Sequence, residues 1–316
     1  MVELITQAIR IGVVFLFGST GETLIEKSGH LNLGIPGTMC VGAVGGCIGA
    51  NLAYNSGASD VGVVLVAVLM SMIFAGAMGL LYGFFTITLR CNQNVTGLTL
   101  TTFGAGVFGF WGRLMAKEGT TFMRASKCFT APMFGNVGDD AFSQMFLSHG
   151  PLIYLGIVIA IVCAIVLKKT RTGLSLSAVG ENPAAADAVG INVTKYKYVA
   201  CVLGAAIAGI GGACYTLTCT RGSLEYVIDA LGWLAVALVI FSLWRPGIGI
   251  LGSFIFGLLY IMSNYDIIPT TLAEKELVKM IPYAVTALVL IVISMFKKKE
   301  TQPPAALGLS YFREDR

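Results

Sequence analysis

Few residues of this chain have the types and spacing that catalysis requires. The two histidines, His30 and His149, lie far apart and neither has a second ligand at metal-binding spacing. The eight cysteines form no C-x-x-C pair, and most fall inside apolar runs, as buried free thiols do. The sequence contains no G-x-x-x-x-G-K-[ST] loop to hold nucleotide phosphates. It therefore predicts no catalytic residue, no metal site and no cofactor, so we do not expect an enzyme.

A second group of residues could bind a polar solute without reacting with it. These are asparagine, threonine and glycine residues within otherwise apolar stretches. The candidates for a substrate pathway are Asn32, Gly34, Asn94, Thr96, Thr99, Thr101 and Thr102. The alternative is structural, because a threonine on a membrane helix often bonds its own i−4 carbonyl and a glycine is often a packing contact.

The composition indicates what must position these residues. Hydrophobic residues make up 56% of the 316 residues and charged residues only 12%, whereas a soluble domain has about twice that charged fraction. The excess of apolar side chains must face lipid, which predicts an all-α, polytopic integral protein of the cell membrane. The net charge of +4 sits at the ends of apolar runs, which is typical of membrane topology and not of a nucleic-acid surface.

The apolar runs predict eight or nine transmembrane helices within a single transmembrane domain, residues 1–316. A span needs about 20 residues to cross the hydrocarbon layer. The clear runs are residues 4–20, 35–54, 61–89, 92–112, 151–167, 197–219, 246–262 and 281–296. A ninth stretch, 227–243, is short and interrupted, so we expect a broken or re-entrant helix there.

Basic residues predict the orientation of the chain. Lysines and arginines lie at both ends of the segment 168–197, and three lysines follow the last apolar run. The positive-inside rule therefore places a loop at about 168–197 and a tail at about 297–316 in the cytoplasm. The long 113–150 segment then lies outside despite its basic residues, because long loops obey the rule poorly. The side of the N-terminus stays undecided.

The cytoplasmic loop contains a short helix with explicit boundaries. Asn182 suits the N-cap, Pro183 the first helical position and Gly190 the left-handed position after the end. The residues between them are small apart from Asp187. Such a helix can dock into a groove on a soluble partner, and the alternative is a capped surface helix without a partner.

Four ordered blocks of the sequence resemble the permeases of ABC importers for nucleosides and simple sugars. The run from Ala178 to Asn192 looks like the coupling-helix region of these permeases. The other three blocks similar to the family are Gly21–Gly34, Tyr198–Tyr215 and Gly232–Pro246, and the tail, Pro304–Tyr311, is a further similarity. The tail is similar to that of the shorter of two paired permeases. The resemblance covers nearly the whole chain.

The resemblance implies a set of partners. Two permeases would form the pore, ABC ATPase subunits would dock on the coupling helices, and an extracytoplasmic substrate-binding lipoprotein would deliver the substrate. ATP hydrolysis would then be carried out by the partner subunits. The complex would lie in a bacterial cell membrane. The residues that it assigns to coupling are Glu181, Asn182, Pro183, Asp187 and Gly190.

The substrate is the least determined part of this interpretation. The chain has Pro36, Thr101 and Leu231 where the family often has acidic or polar residues, all near the implied pathway. A nucleoside is the first expectation, and a simple sugar or a riboflavin-like vitamin is the alternative. A different class, a stand-alone secondary transporter or channel, would need a coupling-ion site within the spans, and few ionisable residues occur in the middle of the spans.

Overall fold

The computed structural model describes residues 2–118, 122–135, 138, 140–224, 229–264 and 302–312, and residues 277, 280, 281, 283–289, 291 and 295. Every regular element within these residues is helical. The first six helices are α1 (Val2–Lys27), α2 (Ile35–Asn55), α3 (Asp60–Gly83), α4 (Gln93–Glu118), α5 (Met123–Thr130) and α6 (Ala141–Phe146). The next six are α7 (Pro151–Lys169), α8 (Arg171–Glu181), α9 (Pro183–Ala188), α10 (Val193–Cys214), α11 (Asp229–Phe241) and α12 (Pro246–Asn264). The π-helical turns Phe84–Thr88 and Tyr215–Cys219 continue α3 and α10.

Helices α1, α2 and α10 form the centre of the bundle, and glycines allow them to approach closely. A Cβ atom built on Gly42 of α2 would lie 2.3 Å from the Cα of Gly209 in α10. One built on Gly21 of α1 would lie 2.2 Å from the carbonyl oxygen of Gly204. No side chain fits at these distances, so glycine is required at both crossings.

Helices α3 and α7 lie at the periphery and present apolar side chains outward. Leu65, Leu69 and Ile73 of α3 are exposed, and so are Val158 and Val162 of α7. In water such a surface would be costly, whereas lipid is its natural surrounding. The predicted excess of outward apolar surface therefore has a definite location.

Five of the described helical segments are long and apolar enough to cross a membrane. They are Val2–Lys27, Ile35–Asn55, Asp60–Thr88, Pro151–Lys169 and Val193–Cys219, and Leu231–Phe241 and Pro246–Met262 are shorter apolar helices. Helix α4 has sufficient length, but it is less apolar. The predicted run 281–296 lies largely outside the described residues. The all-α membrane class is thus observed, while the count of eight or nine spans is not established by these helices.

Two predicted boundaries require correction. The first span is longer than residues 4–20, because α1 continues to Lys27. It thereby carries Glu22 and Glu26 into the buried end of the helix. The interrupted stretch 227–243 contains α11, whose 13 residues span only about 20 Å. Backbone φ angles of +57° and +55° at Leu243 and Trp244 then turn the chain into α12.

The two ends of the bundle differ in charge. We call the end that carries Lys168, Lys169 and helices α8 and α9 the basic end. The end of α1 lies there, because a Cβ on Gly180 of α8 would meet the carbonyl oxygen of Lys27 at 2.3 Å. The start of α1 lies at the opposite end, where the Thr6 hydroxyl donates to the carbonyl of Gln144 at 3.4 Å. The N-terminus, undecided from the sequence, is therefore opposite to α9.

Candidate functional site

The helix expected in the basic loop is present as α9, with the predicted caps. The side-chain oxygen of Asn182 accepts a hydrogen bond from the N–H of Ala185 at 3.0 Å. Pro183 occupies the first helical position, and Gly190 has a φ of +86°, which favours glycine. Local sequence alone accounts for where α9 begins and ends.

One side of α9 is anchored to the bundle and the other side is uncovered. Ala186 is buried against Val179 of α8 and Val193 of α10. The outer side consists of Ala184, Ala185, Ala188 and Val189, all exposed. Val189 is 76% exposed, which is unusual for a β-branched apolar residue at the charged end of a bundle. The arrangement is a rigid, smooth surface that a soluble partner can contact.

The C-terminal segment 302–312 lies across the basic end and joins elements that are distant in the sequence. The N–H of Ala306 donates to the carbonyl of Gly180 at 3.0 Å, and the N–H of Gly308 donates to that of Gly29 at 3.1 Å. The Tyr311 hydroxyl donates to Oδ2 of Asp187 at 2.8 Å. The sequence predicted a cytoplasmic tail here, but it gave no signal of these contacts. Asp187 is thus tied to the tail and does not project from α9 alone.

The α1–α2 connection is held by buried polar groups. The N–H of Asn32 donates to Oε1 of Glu22 at 3.1 Å, and Oδ1 of Asn32 accepts from the N–H of Gly34 at 2.8 Å. The Thr101 hydroxyl donates to the carbonyl of Leu33 at 2.8 Å. The structure thus brings Asn32, Gly34 and Thr101 together as a buried support for the connection. These three predicted pathway residues have structural contacts and little exposed surface.

The other four predicted pathway residues lie elsewhere, on the outer face of α4. Asn94, Thr99 and Thr102 are exposed and Thr96 is partly buried. The three threonine hydroxyls donate to their own i−4 carbonyls at 2.8, 2.8 and 3.2 Å for Thr96, Thr99 and Thr102. Each hydroxyl oxygen still has lone pairs that can accept from a solute. A threonine hydroxyl that bonds its own i−4 carbonyl can therefore still contact a solute in a pathway.

Glycines on the same face of α4 leave additional room. A Cβ atom built on Gly106 or Gly109 would have no other group within 4 Å. By contrast, one on Gly104, on the inner face, would lie 2.2 Å from the carbonyl oxygen of Gly37. We call the exposed set Asn94, Thr99, Thr102, Gly106 and Gly109 the outer α4 face. Exposed apolar side chains, among them Val95 and Leu98, stand between these residues. The outer α4 face is therefore mixed, whereas the exposed residues of α3 and α7 named above are apolar.

Two buried carboxyl groups at the basic end were missed by the sequence reasoning. Glu22 and Glu26 are one helical turn apart in α1 and both are buried. Oε2 of Glu26 accepts a hydrogen bond from the indole N–H of Trp244, which follows α11. The signal was available, since carboxyl groups four residues apart share one helix face. The Glu26–Trp244 bond fixes the α11–α12 turn against α1.

Comparison with known proteins assigns the class. The chain belongs to the family described as "Branched-chain amino acid transport system / permease component", which matches residues 4–292. It is accordingly a cell-membrane protein, the permease component of an ABC transporter. The five helical segments that are long and apolar enough to cross a membrane are consistent with that assignment.

Several curated relatives cover most of the chain. The Nucleoside ABC transporter permease protein NupC of Lactococcus lactis is 29% identical over 94% of this chain and 93% of its own length. The Guanosine ABC transporter permease protein NupQ of Bacillus subtilis is 30% identical over 75% of this chain and 73% of its own. A protein named "Putative glucose ABC transporter permease protein TsgC13", from Haloferax volcanii, is 31% identical over 81% and 75%.

Proposed function

We propose that this chain is one of two permease subunits of an ABC importer for nucleosides, with α9 as its coupling helix. The single observation that carries the proposal is the exposed side of α9, where Val189 is 76% exposed at the basic end. A docked ATPase subunit would cover this surface. ATP hydrolysis then belongs to that partner, and Glu181, Asn182, Pro183, Asp187 and Gly190 transmit its conformational change.

The outer α4 face supports the assignment of a pathway and of a second permease. Thr99 and Thr102 are exposed along α4, and Asn94 is exposed at its basic end. A polar passage would give their side-chain oxygens hydrogen-bond donors that lipid lacks. A second permease subunit opposite this face would enclose a polar passage between the two chains. The wall of this passage would be stabilised by less exposed polar residues of the same chain, Asn32, Gly34, Thr96 and Thr101.

The nucleoside is proposed as substrate because two of the relatives are named for nucleoside or guanosine transport. A simple sugar is the alternative, because another relative is named for glucose. The hydroxyl-rich outer α4 face suits the hydroxyl groups of either solute, through lone pairs of Thr99 and Thr102. Specificity would be set largely by an extracytoplasmic substrate-binding lipoprotein that delivers the solute.

The topology belongs to the same proposal. Residues 1–316 form a single permease domain of eight or nine spans, with α4, α11, α12 and the 281–296 run added to the five long apolar segments. The basic end faces the cytoplasm, so the loop 168–197 and the tail 297–316 are cytoplasmic and the N-terminus is outside. Helix α11 is the short, interrupted element, and it leads the chain to the basic end, where Trp244 bonds Glu26. An N-terminus outside and a tail inside require an odd number of crossings, so this orientation favours nine spans, with α11 counted as one.

A substitution on α9 tests the docking role. Val189→Asp places a charge in the middle of the proposed interface and should lower retention of the ATPase subunit about tenfold or more. Co-purification of the complex from membranes, together with its ATPase activity, measures the effect. Met133→Asp is the matched control, because Met133 is also exposed but lies away from the basic end. Normal retention and normal uptake with Val189→Asp would refute the coupling role of α9.

A further inference from the structure

A polar cavity of about 700 Å³ lies at the basic end, behind α9. Its walls come from the α1–α2 connection, the π-helical turn after α3, the segment from α9 to the start of α10, and the C-terminal segment. The described residues that matter for its chemistry are His30, Arg90, Asp187, Lys195, Lys197 and Tyr311. A volume of this size suits a small metabolite with its water. The cavity is separate from the outer α4 face.

Lys197 is the unusual wall residue. Its side chain is only 2% exposed, yet no hydrogen bond or ion pair joins it to any residue that the structure describes. It lines the cavity from the second turn of α10. The Nζ atom is not among the solvent-inaccessible atoms without a partner, so the ammonium group reaches the cavity. A largely desolvated ammonium gains free energy from an anion or from several acceptors. The groups that stabilise the positive charge of Lys197 must therefore lie within the cavity.

His30 provides a second unsatisfied group in the same wall. It is 2% exposed, and its Nδ1 atom has no hydrogen-bond partner among the described residues. Burial, together with the positive charge of Lys197, lowers the pKa of His30 to about 3. The imidazole is therefore neutral at physiological pH, with one donor and one acceptor nitrogen, and it adds no positive charge to the wall.

The remaining walls add positive charge. Arg90 and Lys195 are exposed at the rim, and the Arg90 guanidinium lies 4.4 Å from the centre of the Phe312 ring. Asp187 is the one carboxylate among the described wall residues, and it accepts the bond from Tyr311. Three cationic side chains against one carboxylate leave a net positive cavity. The sign of the charge favours an anionic ligand.

The start of α10 strengthens this preference. Asn192, Val193, Thr194 and Lys195 line the cavity, and they include the N-cap and first turn of a 22-residue helix. The N–H of Lys195 already donates to Oδ1 of Asn192 at 2.9 Å. The N–H groups of Val193 and Thr194 have no partner within the helix and lie at the positive end of its dipole. Together with the Lys197 ammonium, they form a pattern suited to phosphate.

We infer that this cavity binds the phosphate group of a cytoplasmic ligand, with Lys197 as the central contact. A soluble phosphate monoester and an anionic phospholipid headgroup both present this chemistry. The cavity volume suits a whole nucleoside monophosphate. Because Asp187 and Gly190 of the coupling region form part of the wall, an occupant contacts the back of α9. This consequence rests on the proposed coupling role of α9: occupancy is placed to modulate coupling between the ATPase and the pore.

Equilibrium binding to the full chain in phosphatidylcholine nanodiscs tests the inference. Radiolabelled guanosine 5′-monophosphate is the soluble probe, and unlabelled guanosine is the competitor that lacks the phosphate. We expect saturable binding that guanosine does not displace and that Lys197→Met weakens about tenfold or more. Lys195→Gln, at the exposed rim, should weaken binding about threefold. Lys169→Met is the control, since Lys169 is exposed at the same end but outside the cavity, and it should bind as the parent chain does.

A second arm separates the two phosphate sources. Native mass spectrometry of the chain with added phosphatidylglycerol should show retained lipid that Lys197→Met loses if the headgroup is the ligand. Because Lys197→Met removes an uncompensated buried charge, the variant should fold, with an unchanged or higher Tm without phosphate. Should it not fold, Lys195→Gln and Arg90→Asn carry the same test. Absence of binding by both probes, or undiminished binding by the cavity variants, would overturn the inference. The readout is binding and not uptake, so it is independent of the proposed transport function.

Discussion

At the scale of single residues, the buried Glu26–Trp244 bond fixes one structural element. Both side chains are nearly inaccessible, and the indole N–H donates to the Glu26 carboxyl group. Trp244 also has a positive φ angle, which is costly for a large residue. This hydrogen bond and the packing around it offset that cost.

Removal of the indole N–H should therefore be destabilising. Trp244→Phe keeps an aromatic ring but leaves a buried carboxyl oxygen without its donor, at a cost of about 1–3 kcal/mol in the free energy of unfolding. Thermal unfolding of the purified chain in detergent measures the change. Trp233→Phe is the matched control, because Trp233 is only partly buried. Equal stability of the two variants would show that the bond contributes little.

A second residue-scale prediction concerns Thr102, on the outer α4 face. Thr102→Trp should fill the passage between two permeases and abolish uptake, while the complex still assembles. Uptake by proteoliposomes and co-purification of the second permease are the two measurements. Ile73→Trp, on the exposed surface of α3, should leave both unchanged. Normal uptake with Thr102→Trp would remove Thr102 from the pathway.

At the scale of elements, the two faces of α4 have opposite requirements. The inner face packs so closely on α2 that a Cβ atom on Gly104 would overlap the backbone of Gly37. The outer face leaves open space at Gly106. The same helix therefore holds the bundle together on one side and remains available to partners and solute on the other.

This contrast predicts different outcomes for two identical substitutions. Gly104→Ala should force α2 and α4 apart and cost about 1–3 kcal/mol of stability, with a lower yield of folded protein. Gly106→Ala should fold as the parent chain does. The midpoint of thermal unfolding, measured side by side, distinguishes them. Equal midpoints would mean that α4 does not pack against α2 as described.

Helix α9 and the C-terminal segment show what the sequence could and could not predict. The capping interactions of α9 are local in sequence, so Asn182, Pro183 and Gly190 were sufficient to predict where the helix begins and ends. The bonds of the tail join residues far apart in the chain, such as Gly308 and Gly29, and no local pattern encodes them. The same applies to Asn32 and Thr101, whose polarity suggested a pathway although tertiary contacts gave them structural partners. Polarity within an apolar run indicates a role without showing which one.

At the scale of the whole molecule, composition was the decisive signal. An apolar content of 56% predicted the helical membrane class, and the family match gives the permease assignment. The sequence was less informative about the limits of α1, because the apolar run ends at residue 20 while the helix continues to Lys27. The hydrogen bonds of Glu22 and Glu26 come from residues outside the helix, Asn32 and Trp244. The cavity behind α9 could not be foreseen, since its walls come from four separate parts of the chain.

The central claim is that this chain forms a pore that depends on ATP hydrolysis by a partner. Uptake of radiolabelled guanosine should be measured in proteoliposomes that contain either the chain alone or the full complex with second permease, ATPase and binding protein. We predict uptake by the full complex only, dependent on ATP and lost with Val189→Asp. Guanosine uptake by the chain alone, without ATP or the ATPase, would contradict the account.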